Sequence, residues 1–272
     1  MLNCIKESFN LTNKYIILAT PLILFSLFSG LYLLLSASGN AIGLVFAVCL
    51  FVLMLAAFLS GWFFMLKHAV VGYNEEPNSL IKLFPEGVGE YILPILGLMF
   101  NTLVVSFVFM ALAYFAGMKL IGDIGIPADS ISQAMVSLPA LKAFLLSLTE
   151  EQLLKLNAWN LLLFFAMGLT YFVIMFYSPA LFFKEKNPFK AFFVSLKDLF
   201  ARNFFKNLGL YFILFSSYFL LSILSTVFGM NVVMHFVFTL LNFYYLVFVA
   251  VLVYNYYYIN FVKIGGNVDK LA

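Results

Sequence analysis

Charged residues are scarce in this sequence. Asp, Glu, Lys and Arg make up 10% of its 272 residues, whereas hydrophobic residues make up 64%. A soluble domain typically has about 25% charged and about 45–50% apolar residues. The composition therefore excludes an ordinary water-soluble globule, and the long apolar runs favour membrane-spanning helices. The net charge of +3 is too small to indicate a nucleic-acid partner.

Cysteines and catalytic motifs are also scarce. The sequence has two cysteines, Cys4 and Cys49, and two isolated cysteines make neither a disulfide framework nor a metal site. It contains no zinc-protease motif, nucleophile elbow, phosphate loop or paired carboxylates within an apolar run. We therefore predict that the protein is not an enzyme, and we predict no catalytic, cofactor-binding or metal-binding residues.

Long apolar segments are what the sequence does contain. A membrane-spanning helix needs about 20 predominantly apolar residues. Six segments qualify, and none has Asp, Glu, Lys or Arg between its ends; they are residues 15–36, 41–66, 91–117, 158–183, 207–229 and 231–259. The predicted fold is an all-α integral membrane protein, a single membrane domain over 1–272 with six transmembrane helices arranged as three hairpins.

The basic residues predict the orientation. All but three of the 15 Lys and Arg residues fall on the side of the N-terminus, and the exceptions are Lys119, Lys142 and Lys155. Cytoplasmic loops carry an excess of Lys and Arg. Both termini are therefore predicted to be cytoplasmic.

Residues 187–206 predict an amphipathic helix in the cytoplasmic interface. Asn187 suits the N-cap and Pro188 the first helical position. A basic face would carry Lys190, Lys197, Arg202 and Lys206, and an apolar face would carry Phe189, Phe193 and Phe200. Such a helix binds membrane lipids, or it docks another membrane or cytoplasmic protein.

Similar helices are expected before spans 1 and 3, at the N-terminus and at residues 77–89. Pro85, Gly87 and Gly89 are expected to end the second of these early. The chain then divides into three units, 1–70, 71–183 and 184–272, each an interfacial helix followed by a membrane hairpin. We interpret them as divergent repeats.

A long outer loop covers residues 118–157. Its pattern predicts short helices at about 130–137 and 139–147, and a third helix that starts at Thr149 and continues into span four. Ser130 with Gln133, and Thr149 with Gln152, have the spacing of capping boxes. The loop is either a lid over the helices or a binding element.

Four polar residues within the apolar runs are candidate contact sites, because buried polar groups in a membrane are costly. They are Asn101, Asn242, Asn255 and His235. Either they join helices or they contact a substrate, and a permease would need the asparagines to converge on one cavity. The tyrosines near span ends, including Tyr15, Tyr91 and those at positions 254 and 256–258, are expected in interfacial belts.

One stretch carries a family resemblance. Residues 178–183 read Ser-Pro-Ala-Leu-Phe-Phe, residues 184–188 read Lys-Glu-Lys-Asn-Pro, and the amphipathic helix follows. This order resembles a group of uncharacterised prokaryotic six-span membrane proteins that includes the membrane domain attached to some glycerophosphodiester phosphodiesterases. The resemblance covers mainly 171–262 and more faintly 1–110. It implies a multi-pass protein of the prokaryotic plasma (inner) membrane, and it carries over no catalytic residue because the sequence shows no phosphodiesterase domain.

Together these patterns predict a non-enzymatic membrane protein that organises lipid or docks a partner through its basic amphipathic helices. The alternative is a permease, or a transporter of lipid or a small molecule, that works without an intramembrane carboxylate.

Overall fold

The computed structural model describes residues 1–36, 41–72, 76–134, 136–201, 203–228 and 231–263. Every regular element within these ranges is helical. The α-helices are α1 Leu2–Lys14, α2 Ala19–Ser36, α3 Ala41–Val71, α4 Leu83–Leu120, α5 Ala128–Ala134, α6 Leu138–Ser147, α7 Glu150–Ile174, α8 Tyr177–Phe183, α9 Pro188–Ala201, α10 Phe204–Phe228 and α11 Val232–Tyr257. Short 3-10 helices cover Ile16–Leu18 and Pro77–Lys82, and a π-helix covers Tyr258–Lys263.

Several helices are long and apolar enough to cross a membrane. Five segments pass this test among the described residues: Val45–Val71, Pro77–Leu120, Glu150–Phe183, Phe204–Phe228 and Val233–Lys263. A sixth is counted if Leu2–Lys14 and Ile16–Tyr32, which meet at a bend of 77°, form one span. The prediction of an all-α chain is confirmed for the described residues, with five or six segments long and apolar enough to cross a membrane. Residues 37–40 and 229–230, which join the two spans of the first and third predicted hairpins, lie outside the described residues.

The helices form two compact units. One comprises Met1–Asn101 and Val173–Ala272, and the other comprises Thr102–Phe172. In the first unit α3 packs against α2, α8 and α11. Its core contains Leu18, Met65 and Leu80, all fully buried. The indole nitrogen of Trp62 donates a hydrogen bond to the Leu18 carbonyl at 2.9 Å. The three-repeat division of the chain stays a prediction.

Helices α3 and α4 approach closely because each places a glycine against a phenylalanine of the other. A Cβ atom at Gly61 would lie 2.6 Å from the Phe84 ring, and one at Gly87 would lie 2.5 Å from the Cβ atom of Phe64. Small residues at a helix contact let the backbones come together, and packing of this kind stabilises membrane helix pairs.

The expected early helix end at residues 85–89 is wrong. Helix α4 runs without interruption from Leu83 through Pro85 and Gly89. Pro85 occupies the third position of α4, where a backbone N–H has no partner within the helix, so proline removes no hydrogen bond there. The element before α4 is therefore the six-residue 3-10 helix Pro77–Lys82, not a separate amphipathic α-helix.

The second unit contains the two predicted short helices, α5 and α6. The capping box at the start of α7 is confirmed, since the Thr149 amide donates to Gln152 Oε1 at 3.1 Å and the Gln152 amide donates to Thr149 Oγ1 at 3.2 Å. The capping box expected at Ser130 is not formed. Helix α5 starts at Ala128, so Ser130 lies inside its first turn and its amide donates to the Pro127 carbonyl at 3.1 Å.

Candidate lipid-contacting surface and the network behind it

Helix α9 begins as its sequence predicts. The Asn187 side-chain oxygen accepts hydrogen bonds from the amides of Phe189 at 3.0 Å and Lys190 at 3.2 Å. Pro188 occupies the first helical position, where the absence of an N–H has no consequence. The helix start is therefore fixed by its own N-cap.

Helix α9 is shorter than the predicted 187–206. It ends at Ala201, and Asn203 adopts a left-handed conformation with φ of 59°. Asparagine is one of the few residues that tolerate this conformation at a helix end. Lys206 therefore belongs to the first turn of α10, where it is exposed. Arg202 lies outside the described residues.

The inner face of α9 is a stripe of buried residues four apart. Ala191, Ser195 and Leu199 have no exposed surface. The C-terminal end of this face is held by Asn207 of α10, whose side-chain nitrogen donates to the carbonyls of Leu199 at 2.9 Å and Asp198 at 3.3 Å. Because the last carbonyls of a helix lack partners within it, these bonds close the end of α9.

Asp198 joins α9 to two other elements. Its Oδ2 atom accepts from the Lys184 ammonium at 2.8 Å and from the Tyr257 hydroxyl. The same ammonium lies 5.4 Å from the ring centre of Tyr257 and 5.8 Å from that of Phe261, which is within the range of cation–π attraction. The Asp198 side chain is only 14% exposed, so this ion pair is partly shielded from solvent.

The outer face of α9 carries the predicted site residues. Phe189, Phe193 and Phe200 are 56%, 68% and 52% exposed. Viewed down the axis of an ideal helix, the three phenylalanines lie within about 40° of one another. Lys190 and Lys197 lie beside them, within the adjoining 60° or so. Both lysines are exposed, and neither takes part in an ion pair with a described residue. Phenylalanines thus form one stripe and lysines an adjacent one.

The prediction that the tyrosines at the end of α11 form an interfacial belt is wrong for three of them. Tyr254, Tyr256 and Tyr257 are at most 4% exposed. Each residue from 254 to 257 bonds a different element: Tyr254 to Ser178 of α8, Asn255 to Ser8 of α1 at 3.1 Å, Tyr256 to Asn207 of α10 at 2.9 Å, and Tyr257 to Asp198 of α9. Tyr15 and Tyr91 are buried as well. The prediction fails because the hydroxyl groups of Tyr254, Tyr256 and Tyr257 find hydrogen-bond partners inside the protein. Those partners are distant in sequence, so the sequence pattern could not reveal them.

The intramembrane asparagines do not converge. The Asn101 side-chain nitrogen donates to the Tyr177 hydroxyl at 2.7 Å, Asn242 donates to the Phe238 carbonyl of its own helix at 2.9 Å, and Asn255 bonds α1. The arrangement expected of a permease is therefore not observed among them. His235 is exposed in the first turn of α11.

The same unit also contains an apolar groove. A groove of about 450 Å³ is lined by Pro21, Phe25, Met54, Phe58 and Phe84 among other apolar residues. Within the described residues no three His, Cys, Asp or Glu side chains come together as a metal site. Across the same ranges every buried side-chain nitrogen and oxygen has a hydrogen-bond partner, so the network behind α9 is complete.

No protein-family model, no curated protein and no solved structure matches this chain.

Proposed function

We propose that this protein is a non-enzymatic multi-pass membrane protein that organises anionic lipid around the outer face of α9. The observation that carries the proposal is the exposed stripe of phenylalanines beside an exposed stripe of lysines on a helix whose opposite face is fixed. The same succession of a span, a polar loop and this helix underlies the resemblance to prokaryotic six-span membrane proteins.

The position of α9 supports this proposal. It follows the candidate span Glu150–Phe183 and precedes the candidate span Phe204–Phe228. A helix between two spans that turn back into the bilayer lies at the membrane surface. An interfacial helix buries its apolar face about 5–10 Å into the boundary between headgroups and acyl chains, a depth that suits the phenylalanine stripe.

The charges favour anionic lipid over neutral lipid. Lys190 and Lys197 have no described carboxylate partner, so their ammonium groups are available to lipid phosphates. A basic residue near an anionic membrane surface contributes about 1 kcal/mol to the free energy of membrane binding. Lys184, by contrast, is engaged with Asp198 and contributes to holding the helix.

The rigid mounting of α9 supports a role in ordering lipid. Asn187 fixes its first turn, Asp198 its inner face and Asn207 its last turn. A fixed helix holds its phenylalanines and lysines at a set spacing, whereas a flexible basic tail would attract anionic lipid without positioning it.

The test compares lipid retention by matched variants. The protein is placed in bilayers that contain equal amounts of phosphatidylcholine and phosphatidylglycerol, extracted gently, and its retained lipids are counted by native mass spectrometry. Lys190→Gln with Lys197→Gln is expected to lower the phosphatidylglycerol preference roughly thirtyfold. The control, Lys119→Gln with Lys142→Gln, makes the same change in net charge and is expected to keep the preference.

Two results would contradict the proposal. One is an equal loss of phosphatidylglycerol in both double variants, which would reduce the effect to net charge. The other is an unchanged lipid preference together with loss of a co-purifying protein from the Lys190 and Lys197 variant, which would assign the surface to protein docking.

A further inference from the structure

A pocket of about 410 Å³ occurs in the unit Thr102–Phe172. It lies at the C-terminal end of α4, beside Trp159 of α7. Its walls come from three pieces of the chain: Tyr114 and Met118 of α4, Gly122, Asp123 and Ile124 of the following loop, and Trp159 of α7.

The loop that carries Asp123 is tied down on both sides. Gly122 adopts a left-handed conformation with φ of 77°, and its amide donates to the Gly117 carbonyl at 3.0 Å, which ends α4. The Gly122 carbonyl accepts from the Trp159 indole at 3.1 Å, and the Gly125 carbonyl accepts from Gln152 at 3.3 Å. Two side chains of α7 therefore fix the loop.

Two aromatic rings form one wall of the pocket. The Trp159 ring lies directly over Gly117, where a Cβ atom would be 2.4 Å from the ring. Only glycine at this position lets the indole lie so close to α4. The Tyr114 ring centre is 6.1 Å from that of Trp159, so both rings border the same space.

Asp123 supplies the negative charge. One of its carboxylate oxygens accepts from the Gly125 amide at 3.0 Å, which orients the side chain. No ion pair engages Asp123 within the described residues, and Lys155 is paired with Glu151 at 2.8 Å. The pocket thus combines two aromatic rings and a carboxylate that no described lysine neutralises, and aromatic rings and carboxylates both attract a cation.

We propose that this pocket binds the ammonium group of an organic cation. Aromatic rings with a carboxylate are the groups that recognise alkylammonium ions, and the volume suits a small polar headgroup. One carboxylate is too few oxygen ligands for Ca²⁺ or Mg²⁺. The pocket lies at the ends of two candidate spans, so the ammonium could come from a lipid headgroup or from a soluble amine. This inference uses none of the residues of the α9 surface.

The sequence offers a direct probe, because it has two tryptophans, Trp62 and Trp159. Labelled with 5-fluorotryptophan in a maltoside detergent, the protein gives two fluorine NMR resonances, and Trp159→Phe assigns them. Tetramethylammonium chloride is expected to shift the Trp159 resonance saturably, whereas sodium chloride at the same ionic strength leaves it in place. Trp62, buried in the other unit, is the internal reference for folding.

Matched variants locate the binding groups. Asp123→Asn and Asp123→Ser are expected to weaken tetramethylammonium binding about threefold to tenfold, and Tyr114→Leu about threefold. Asp129→Asn removes an exposed carboxylate of α5, and Tyr171→Leu removes an exposed tyrosine of α7; neither residue lines the pocket, so binding is expected to persist. The proposal is overturned by an equal response to sodium, by no response of Trp159, or by equal binding in the Asp123 and Asp129 variants.

A second arm identifies the source of the ammonium. In phosphatidylcholine bilayers a lipid headgroup would occupy the pocket, and added tetramethylammonium would no longer shift the Trp159 resonance. In phosphatidylglycerol bilayers, whose headgroup lacks an ammonium, the shift would remain. A full response in both bilayers would assign the pocket to a soluble amine.

Discussion

Tyr257 donates a hydrogen bond to Asp198, and this contact links α11 to α9. The same carboxylate binds Lys184, so one acidic side chain holds the inner face of the proposed lipid-contacting helix. The stability of that helix should therefore depend on a residue far along the chain.

Tyr257→Phe is expected to destabilise the protein by about 1.5–3 kcal/mol, the usual contribution of a hydrogen bond to a charged group. The measurement is the midpoint of thermal unfolding in detergent. Tyr171→Phe removes the hydroxyl of an exposed tyrosine and is expected to leave the midpoint within error. Equal midpoints for the two variants would show that the bond to Asp198 contributes nothing.

Two glycines of α4 make a matched pair with opposite expected effects. A Cβ atom at Gly87 would overlap Phe64 and approach the Ser60 carbonyl at 2.9 Å, whereas one at Gly89 would meet nothing within 4 Å. Gly87→Ala is expected to destabilise the protein by about 1–3 kcal/mol through overpacking. Gly89→Ala is expected to be neutral or to stabilise by up to about 1 kcal/mol through helix propensity.

Thermal unfolding of these two alanine variants, measured side by side, checks the close packing of α3 and α4. Loss of stability in both, or in neither, would contradict it.

Asn255 is expected to hold α1 in place. Its side-chain nitrogen donates a hydrogen bond to Ser8 of α1. Cys4, which also belongs to α1, is buried. In a Cys49→Ser background, Asn255→Ala should therefore raise the rate at which a membrane-permeant maleimide labels Cys4. Asn242→Ala is the control, because Asn242 bonds only a carbonyl of its own helix among its described contacts. Unchanged labelling after Asn255→Ala would show that α1 is held by other contacts.

Spin labels test the two stripes of α9 directly. In a protein without its native cysteines, labels at Phe193→Cys and Phe200→Cys are expected to be accessible to oxygen, which concentrates in lipid. Labels at Lys190→Cys and Lys197→Cys are expected to be more accessible to a water-soluble nickel complex, and a label at Ala191→Cys to neither. Nickel accessibility at every exposed position would place the outer face in water and contradict membrane contact.

Sequence reasoning succeeded where the signal is local. Apolar runs predicted the spanning helices, because a spanning helix must satisfy its backbone internally over a fixed length. Asn187 and the pair of Thr149 with Gln152 predicted helix starts, because a cap involves residues at most three apart.

It failed where partners are distant in sequence. Tyrosines beside a membrane suit both a belt and a buried network, and Ser178 or Asp198 as a partner is visible only in the folded chain. The pocket of Tyr114, Asp123 and Trp159 was missed for the same reason. Two glycines framing an aspartate just beyond an apolar run are the one local signal that could have pointed to it.

The position of α11 in the chain has a consequence for biosynthesis. Ser8, Ser178, Asp198 and Asn207 all find partners on residues 254–257, and these residues leave the ribosome after every helix they bind. Until α11 is inserted, the polar side chains of these earlier helices lack the hydrogen bonds that residues 254–257 provide in the folded protein. A nascent chain arrested before residue 254 should accordingly be a substrate for membrane quality-control proteases, even with most of its spans already inserted.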